Sequence, residues 1–332
     1  MELKNSMKIV LNDILKGKRK VALGGHVRPD GDCVGSCMGL YLYLKEQYPD
    51  ISADVYLETV PEAYRIINGT DEVKTEALDG EPYDLFICLD CGDPERLGFS
   101  RPLFEAAKET LCIDHHVSND AFADENYIVP DASSTSELVF TLLDTDKISR
   151  ASAEALYMGI AHDTGVFQYS CTSPETMETA AALMRKGIDA SKIIEKTYYE
   201  KTYIQNQILG RALLESMLIM DKKCIISVIR KKSMDFFHAA SADLEGIVSQ
   251  LRMTKGVEVA IFLHELAPQK FKVSLRSKGL VDVSEIAKYY GGGGHVRAAG
   301  VTMEGSSHDV INNITARIVH QLKHEEEQEQ EL

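Results

Sequence analysis

Three short apolar runs, each ending at an aspartate or a histidine, constrain this chain more than any other feature. Lys20–Gly25 leads into His26, Asp84–Leu89 into Asp90, and Thr110–Ile113 into Asp114-His115-His116. Each run has the length and apolar content of a buried strand, and Ala53–Leu57 reads as another. The segments between them suit helices: about Cys33 to Gln47, Ser134 to Leu143, Ala151 to Ala161, and one opened by Pro174 behind Ser173 and ending near Gly187. Alternation of this kind predicts an α/β domain with a mostly parallel sheet flanked by helices. In such sheets ligands bind beyond the carboxyl ends of the strands, so the terminal His and Asp residues should share one crevice.

At 332 residues the chain is too long for one small domain. Residues 1–187 form the first domain in this reading, 188–215 a polar helical connector, 216–324 a smaller C-terminal α/β domain, and 325–332 an acidic tail. In the second domain Lys223–Ile229 is a strand, Ala242–Met253 a helix, Val257–Leu263 and Phe271–Leu275 paired strands, and a last helix starts near Ser307. The two domains are expected to share a cleft. No run approaches the roughly 18 apolar residues needed to span a bilayer, and the first residues lack the pattern of a signal peptide. A cytoplasmic location without membrane attachment is the expectation, with a homodimer left open. Seven scattered cysteines argue against a disulfide framework. Cys88 and Cys91 form a CxxC, but it lies in an apolar run with no second pair to complete a zinc site, so core thiols are expected.

The charge pattern points to metal chemistry. Asp30, Asp32, Asp90 and Asp163 in one crevice would repel one another unless compensated, and two divalent cations would balance them. Carboxylate and imidazole donors without thiolate suit Mn²⁺-type ions, and a close pair of ions can clamp a phosphoryl group and activate water. A formal charge of −15 opposes a broad basic track for long nucleic acid but leaves small phosphorylated ligands open.

These residues resemble a known family. His26-xxx-Asp30-x-Asp32-xx-Gly35-Ser36, Asp90, Asp114-His115-His116 and Asp163 resemble, in order, the four motifs of the DHH phosphoesterases. Gly291-Gly292-Gly293-Gly294-His295-Val296-Arg297-Ala298-Ala299-Gly300 resembles the hallmark of the associated DHHA1 domain. The compact length resembles the branch that degrades very short oligoribonucleotides and dephosphorylates 3′-phosphoadenosine 5′-phosphate. The resemblance implies two Mn²⁺ ions: one on His26, Asp30 and Asp90, the other on Asp32, His115 and Asp163, with Asp90 bridging. It assigns His116 to the substrate phosphate. Asp114 either orients the neighbouring imidazoles or makes a strand-end hydrogen bond. His162 departs from the pattern, since relatives often carry a small polar residue there, and a packing role is expected for it.

In the second domain, four consecutive glycines followed by His295 suggest backbone that approaches a phosphate closely. Arg276, at the end of the Phe271–Leu275 strand, adds a cation suited to phosphate. Arg297 and Lys278 are weaker candidates, since exposed basic residues are usually just solvated. The leading expectation is a Mn-dependent hydrolase of very short oligoribonucleotides and of 3′-phosphoadenosine 5′-phosphate. The enzymatic rival is a phosphodiesterase for cyclic dinucleotides or their linear products. A pyrophosphatase and a processive exonuclease fit less well. A binding module that no longer cleaves is the alternative of another class, and the complete ligand set argues against it.

Overall fold

The computed structural model describes residues 10–77 and 80–330, with side chains through residue 322. The chain divides into two compact units, one ending at Glu200 and the other beginning at Lys201. The division falls inside the segment read as a connector. That segment is broken into pieces: a helix at Ala190–Ile194, a π-helical turn at Glu195–Tyr199 and a helix at Tyr203–Leu214. No helix among the described residues is long and apolar enough to cross a membrane.

The first unit is built on five parallel strands: β1 (Lys20–Gly24), β2 (Ser52–Tyr56), β3 (Leu85–Leu89), β4 (Thr110–Asp114) and β5 (Glu125–Ile128), in the order β2-β1-β3-β4-β5. β5 was not foreseen; its ENYI sequence has no strong apolar alternation and none of its side chains is fully buried. Alternation along the central strands feeds two cores. Leu23, Ile87 and Ile113 pack with the helices Gly31–Gln47 and Arg150–Asp163, while Ala22, Phe86, Cys88 and Cys112 face Leu97 and Phe104. Cys88 and Cys91 are buried there as free thiols.

The sheet order matters for function. β1, β3 and β4 are neighbours, so the residues that follow them emerge side by side at one edge. The Gly31–Gln47 helix starts two residues earlier than expected because Asp30 caps it, accepting from the amides of Asp32 and Cys33, each at 3.1 Å. Gly35 lets this helix meet Arg150–Asp163 backbone to backbone: a Cβ there would lie 2.7 Å from the Ala155 carbonyl and 2.8 Å from Gly159 Cα. Asp163, expected beyond a helix, is instead the last residue of this one.

The second unit has six strands: β6 (Met217–Ile219), β7 (Cys224–Ile229), β8 (Val259–Ala267), β9 (Lys270–Ser277), β10 (Gly293–His295) and β11 (Ala298–Glu304), in the order β10-β11-β9-β8-β7-β6. Only β7 and β8 pair in parallel. One face packs with Val310, Ile314 and Ile318 of the Ser307–Gln330 helix. The other packs with Ile208, Ile247 and Leu251. The helix expected over Ala242–Met253 is split into Ser241–Leu244 and Ile247–Arg252 by Gly246, which is left-handed at φ +82°. The last helix runs into the expected acidic tail, whose side chains and final two residues lie outside the described residues.

Candidate metal centre

At the carboxyl edge of β1, β3 and β4 the six residues expected to hold metal lie together. Asp90 is the hub. It follows β3 in a left-handed backbone conformation (φ +55°), uncommon for a residue with a side chain, and is 2% exposed. Its Oδ2 lies 3.5 Å from His26 Nε2, and its Oδ1 lies 3.7 Å from His115 Nε2. Asp30 Oδ2 is also 3.5 Å from His26 Nε2, and Asp163 Oδ2 is 3.0 Å from His115 Nε2. Donor atoms of Asp32, His115 and Asp163 all lie within 4.8 Å of one another.

Both imidazoles are oriented by their second nitrogen. His26 Nδ1 is 2.9 Å from the Val27 carbonyl and His115 Nδ1 is 3.3 Å from the Ala132 carbonyl. An N–H donated to each carbonyl puts the proton on Nδ1 and leaves Nε2 facing the carboxylates, the tautomer a metal ligand needs. Burial alone would push His26 down, but Asp30 and Asp90 outweigh it and carry its pKa up to about 11. Burial likewise opposes charge on His115, and Asp163, Asp32 and Asp90 carry it up to about 10. Burial and the neighbouring Asp90 and Asp163 raise Asp32 well above the carboxylate range. Without cations the crevice therefore favours bound protons. A divalent ion would take their place, so this donor set suits a metal centre.

Several contributors were not read from the sequence. Asp32 is fully buried and receives two amides from the N-terminus of the Thr135–Leu142 helix, Thr135 N–H at 2.6 Å and Ser136 N–H at 2.9 Å. The Thr135 hydroxyl donates to Asp90 at 3.2 Å. A helix N-terminus is a natural partner for a buried anion. The cap Ser134, which accepts from Glu137 N–H, was the available signal for it. Cys33 also sits within 4.8 Å of donor atoms of His26 and Asp90, but burial pushes its thiol well above the ordinary range, which suits packing.

His116 differs from His115. Its Nδ1–H donates to Asp114 Oδ1 at 2.7 Å, while Asn119 Nδ2 donates to Asp114 Oδ2, also at 2.7 Å. The fully buried Asp114 thus fixes the His116 ring and holds its pKa above the usual imidazole value. His162 packs its ring on Gly31, where a Cβ would collide with it, and pairs its Nε2 with Thr197 Oγ1 at 3.0 Å. Burial lowers its pKa to about 4, so it is a neutral packing residue.

The second unit's candidates form a row in its own sheet. His295 on β10 opposes Ala298 on β11, which opposes Arg276 on β9. Directly opposed residues share a face, so His295 and Arg276 flank the small Ala298 side chain. The glycine run is a turn entering β10 rather than a free loop. A Cβ on Gly292 would collide with the Gly300 carbonyl, and one on Gly294 would lie 2.5 Å from the Ala298 carbonyl. Gly291 and Gly293 meet nothing within 4 Å. Arg297 is exposed and its guanidinium lies near Gly279, while Lys278 donates its amide to the Glu258 carbonyl and carboxylate.

Comparison with known proteins fits this picture. Residues 20–160 match the DHH family, N-terminal domain, and residues 221–324 match the DHHA1 domain. The chain is 28% identical to the bifunctional oligoribonuclease and PAP phosphatase NrnA of Bacillus subtilis over 289 residues, covering 85% of this chain and 89% of that protein. It is 27% identical to the protein of the same name from Thermus thermophilus, covering 90% and 89%. An exopolyphosphatase-related protein from Bacteroides fragilis has a similar structure, with a TM-score of 0.84, 27% identity and 94% of each chain covered. Two family domains in order, on a donor set suited to divalent cations, make this chain a member of the DHH/DHHA1 family of metal-dependent phosphoesterases.

Proposed function

We propose that this protein is a Mn²⁺-dependent cytoplasmic hydrolase that cuts very short oligoribonucleotides to mononucleotides and converts 3′-phosphoadenosine 5′-phosphate to AMP. The observation that carries the reading is Asp90, whose two oxygens face His26 and His115 from one buried carboxylate. In this reading His26, Asp30 and Asp90 hold one ion, and Asp32, His115 and Asp163 the other. Two such ions supply Lewis-acid polarisation of a phosphate and an acidified water. The Thr135 and Ser136 amides hold Asp32 in place as charge is rearranged. His116, steadied by Asp114, keeps its Nε2 for a phosphate oxygen or a proton. Arg276, Gly291–Gly294 and His295 contribute phosphate contacts. Relatives named for both activities support the substrate class.

The test is a Mn²⁺ panel with a ribodinucleotide, a 24-mer RNA, 3′-phosphoadenosine 5′-phosphate, a cyclic dinucleotide and pyrophosphate. Fast turnover of the dinucleotide and the 3′-phosphorylated nucleotide is expected. A preference for the 24-mer, or activity confined to the cyclic dinucleotide, would overturn the reading.

A further inference from the structure

A wall of aromatic rings in the first unit runs outward from the metal loop. It begins at His162, the residue before Asp163, whose ring rests on Gly31 between Asp30 and Asp32. Tyr64 and Tyr198 meet that ring edge-on, with centroids at 5.1 and 5.3 Å. Tyr198 contacts Tyr199 at 5.3 Å, and burial followed by the neighbouring Tyr169 hydroxyl raises its phenol pKa. The outer rings are open to solvent: Tyr169 is 47% exposed and Tyr199 is 54% exposed.

Unusual backbone holds these outer rings in place. Tyr198 and Tyr199 lie in the π-helical turn Glu195–Tyr199, a rare geometry that recurs at functional sites. Asp163 is followed by three successive left-handed residues, Gly165, Val166 and Phe167, with φ of +56°, +58° and +63°. This conformation is costly for branched and aromatic side chains. The turn lays the Tyr169 ring across Gly165, where a Cβ would collide with it, and Cys171 Sγ then donates back to the Asp163 carbonyl at 3.7 Å. Burying an aromatic ring would offset such strain. Phe167 is packed in this way, its ring meeting Tyr157 at 5.9 Å, whereas Tyr169 at the end of the turn stays half-exposed, an arrangement that offers its π face to a ligand. The exposed Tyr289 beside the glycine run is a poorer platform, because Arg317 already covers its ring at 3.4 Å.

We propose that Tyr169, backed by Tyr198, stacks the nucleobase of the nucleotide whose phosphate sits at the metal centre. Every base offers a π face, so such a platform would accept short nucleotides of any sequence while favouring nucleotides over base-free phosphates. This inference rests on the short-nucleotide reading above, and its test separates the two.

AMP and ribose 5-phosphate, which differ in the base, are titrated calorimetrically into the full-length Mn²⁺-loaded protein, and turnover of a ribodinucleotide is measured alongside. The parent should bind AMP about 10-fold more tightly or better. Tyr169→Ala should erase that preference while Mn²⁺ stoichiometry and ribose 5-phosphate affinity hold. Tyr169→Phe, which keeps the ring, should retain most of it. A parent indifferent to the base, a Tyr169→Ala variant with the parental preference, or one that loses both ligands together would each overturn the platform. A parent that prefers AMP through Tyr169 yet leaves the dinucleotide intact would sink the short-oligonucleotide reading and leave the platform standing.

Discussion

The two domains keep most of their candidate functional groups in opposite environments, Asp30 being the exposed exception in the first. In the first, His26, Asp32, Asp90 and Asp114 are all at most 4% exposed, and each is held by hydrogen bonds or by another charged group. In the second, Gly293, Gly294 and His295 lie exposed on an edge hairpin and Arg276 is half-buried. Buried charges tolerate no missing partner, because the group left behind keeps its desolvation cost. Exposed groups lose only the contact itself. The first domain should therefore fail all at once when one group is removed, and the second by degrees.

Asp90→Ala is the hardest test of that contrast. It removes the carboxylate between His26 and His115 and leaves two imidazoles without their shared partner. We expect turnover to fall by at least ~10³-fold, about 4 kcal/mol of lost transition-state stabilisation, with a loss of bound metal. Activity assays and metal analysis on the purified variant check this. Parental turnover at saturating Mn²⁺ would mean that Asp90 does not bridge.

The next test divides neighbours within the first domain. Both rings come within 3.7 Å of Asp90 Oδ1, but His115 presents its Nε2 to Asp163 at 3.0 Å, whereas the His116 nitrogen near Asp90 is bound to Asp114 at 2.7 Å. His115→Ala should lose metal. His116→Ala should keep most of it and turn over ~10²-fold more slowly, within the usual range for a proton-transfer group. Equal metal loss in both variants would show that the two rings share one role.

The contrast also explains what could be read from the sequence. Asp90 and Asp114-His115-His116 were legible because strand ends are marked by residue type, and a parallel sheet then sets them side by side. The Thr135 and Ser136 amides were not, because a backbone N–H carries no residue signature and its target, Asp32, lies 103 residues away from Thr135. Asn119 was missed for a similar reason: one Asn in a loop is ordinary until it is seen bonded to Asp114. The β10–β11 hairpin was not read as strands, since glycine has no side chain to show alternation and its pairing with β9 is non-local. The aromatic wall was invisible because Tyr64, His162, Tyr169 and Tyr198 come from four separate segments.

In the second domain the effects should be graded. Arg276→Ala and His295→Ala each remove one charge-capable contact beside Ala298. Each should weaken a ribodinucleotide by about 1.5–3 kcal/mol, or one to two decades in KM, with metal content unchanged. A loss of metal in either variant would erase the distinction between the two domains.

The smallest expected effect per step, about tenfold for each group per pH unit, separates the domains by pH. In metal-free protein His26 and His115 have pKa values raised to about 11 and about 10 against an ordinary 6.5. Their stabilisation is complete below pH 6.5 and is lost as pH climbs toward 10. His264, on β8 of the second domain, is opposite. It is 4% exposed, neither ring nitrogen has a hydrogen-bond partner, and burial with the nearby Lys272 lowers its pKa to about 4. The unfolded chain then binds the proton first, so the second domain loses stability as pH falls from 6.5 toward 4. His162 in the first domain has the sign of His264, since burial lowers its pKa to about 4, and its window below pH 6.5 lies outside that of His26 and His115. Each group contributes about 1.4 kcal/mol per pH unit inside its window, close to tenfold in an opening equilibrium. Hydrogen exchange on the whole chain in a chelator should show core amides of the first domain opening more readily at pH 8 than at pH 6. Those of β8 and β9 should open more readily at pH 5 than at pH 6. Saturating Mn²⁺ should flatten only the first trend, because the ions replace the protons on His26 and His115. His264→Leu, which fills the site without a titrating group, should flatten only the second. If Mn²⁺ suppressed both trends equally, the two domains would not titrate independently and the contrast between them would fail.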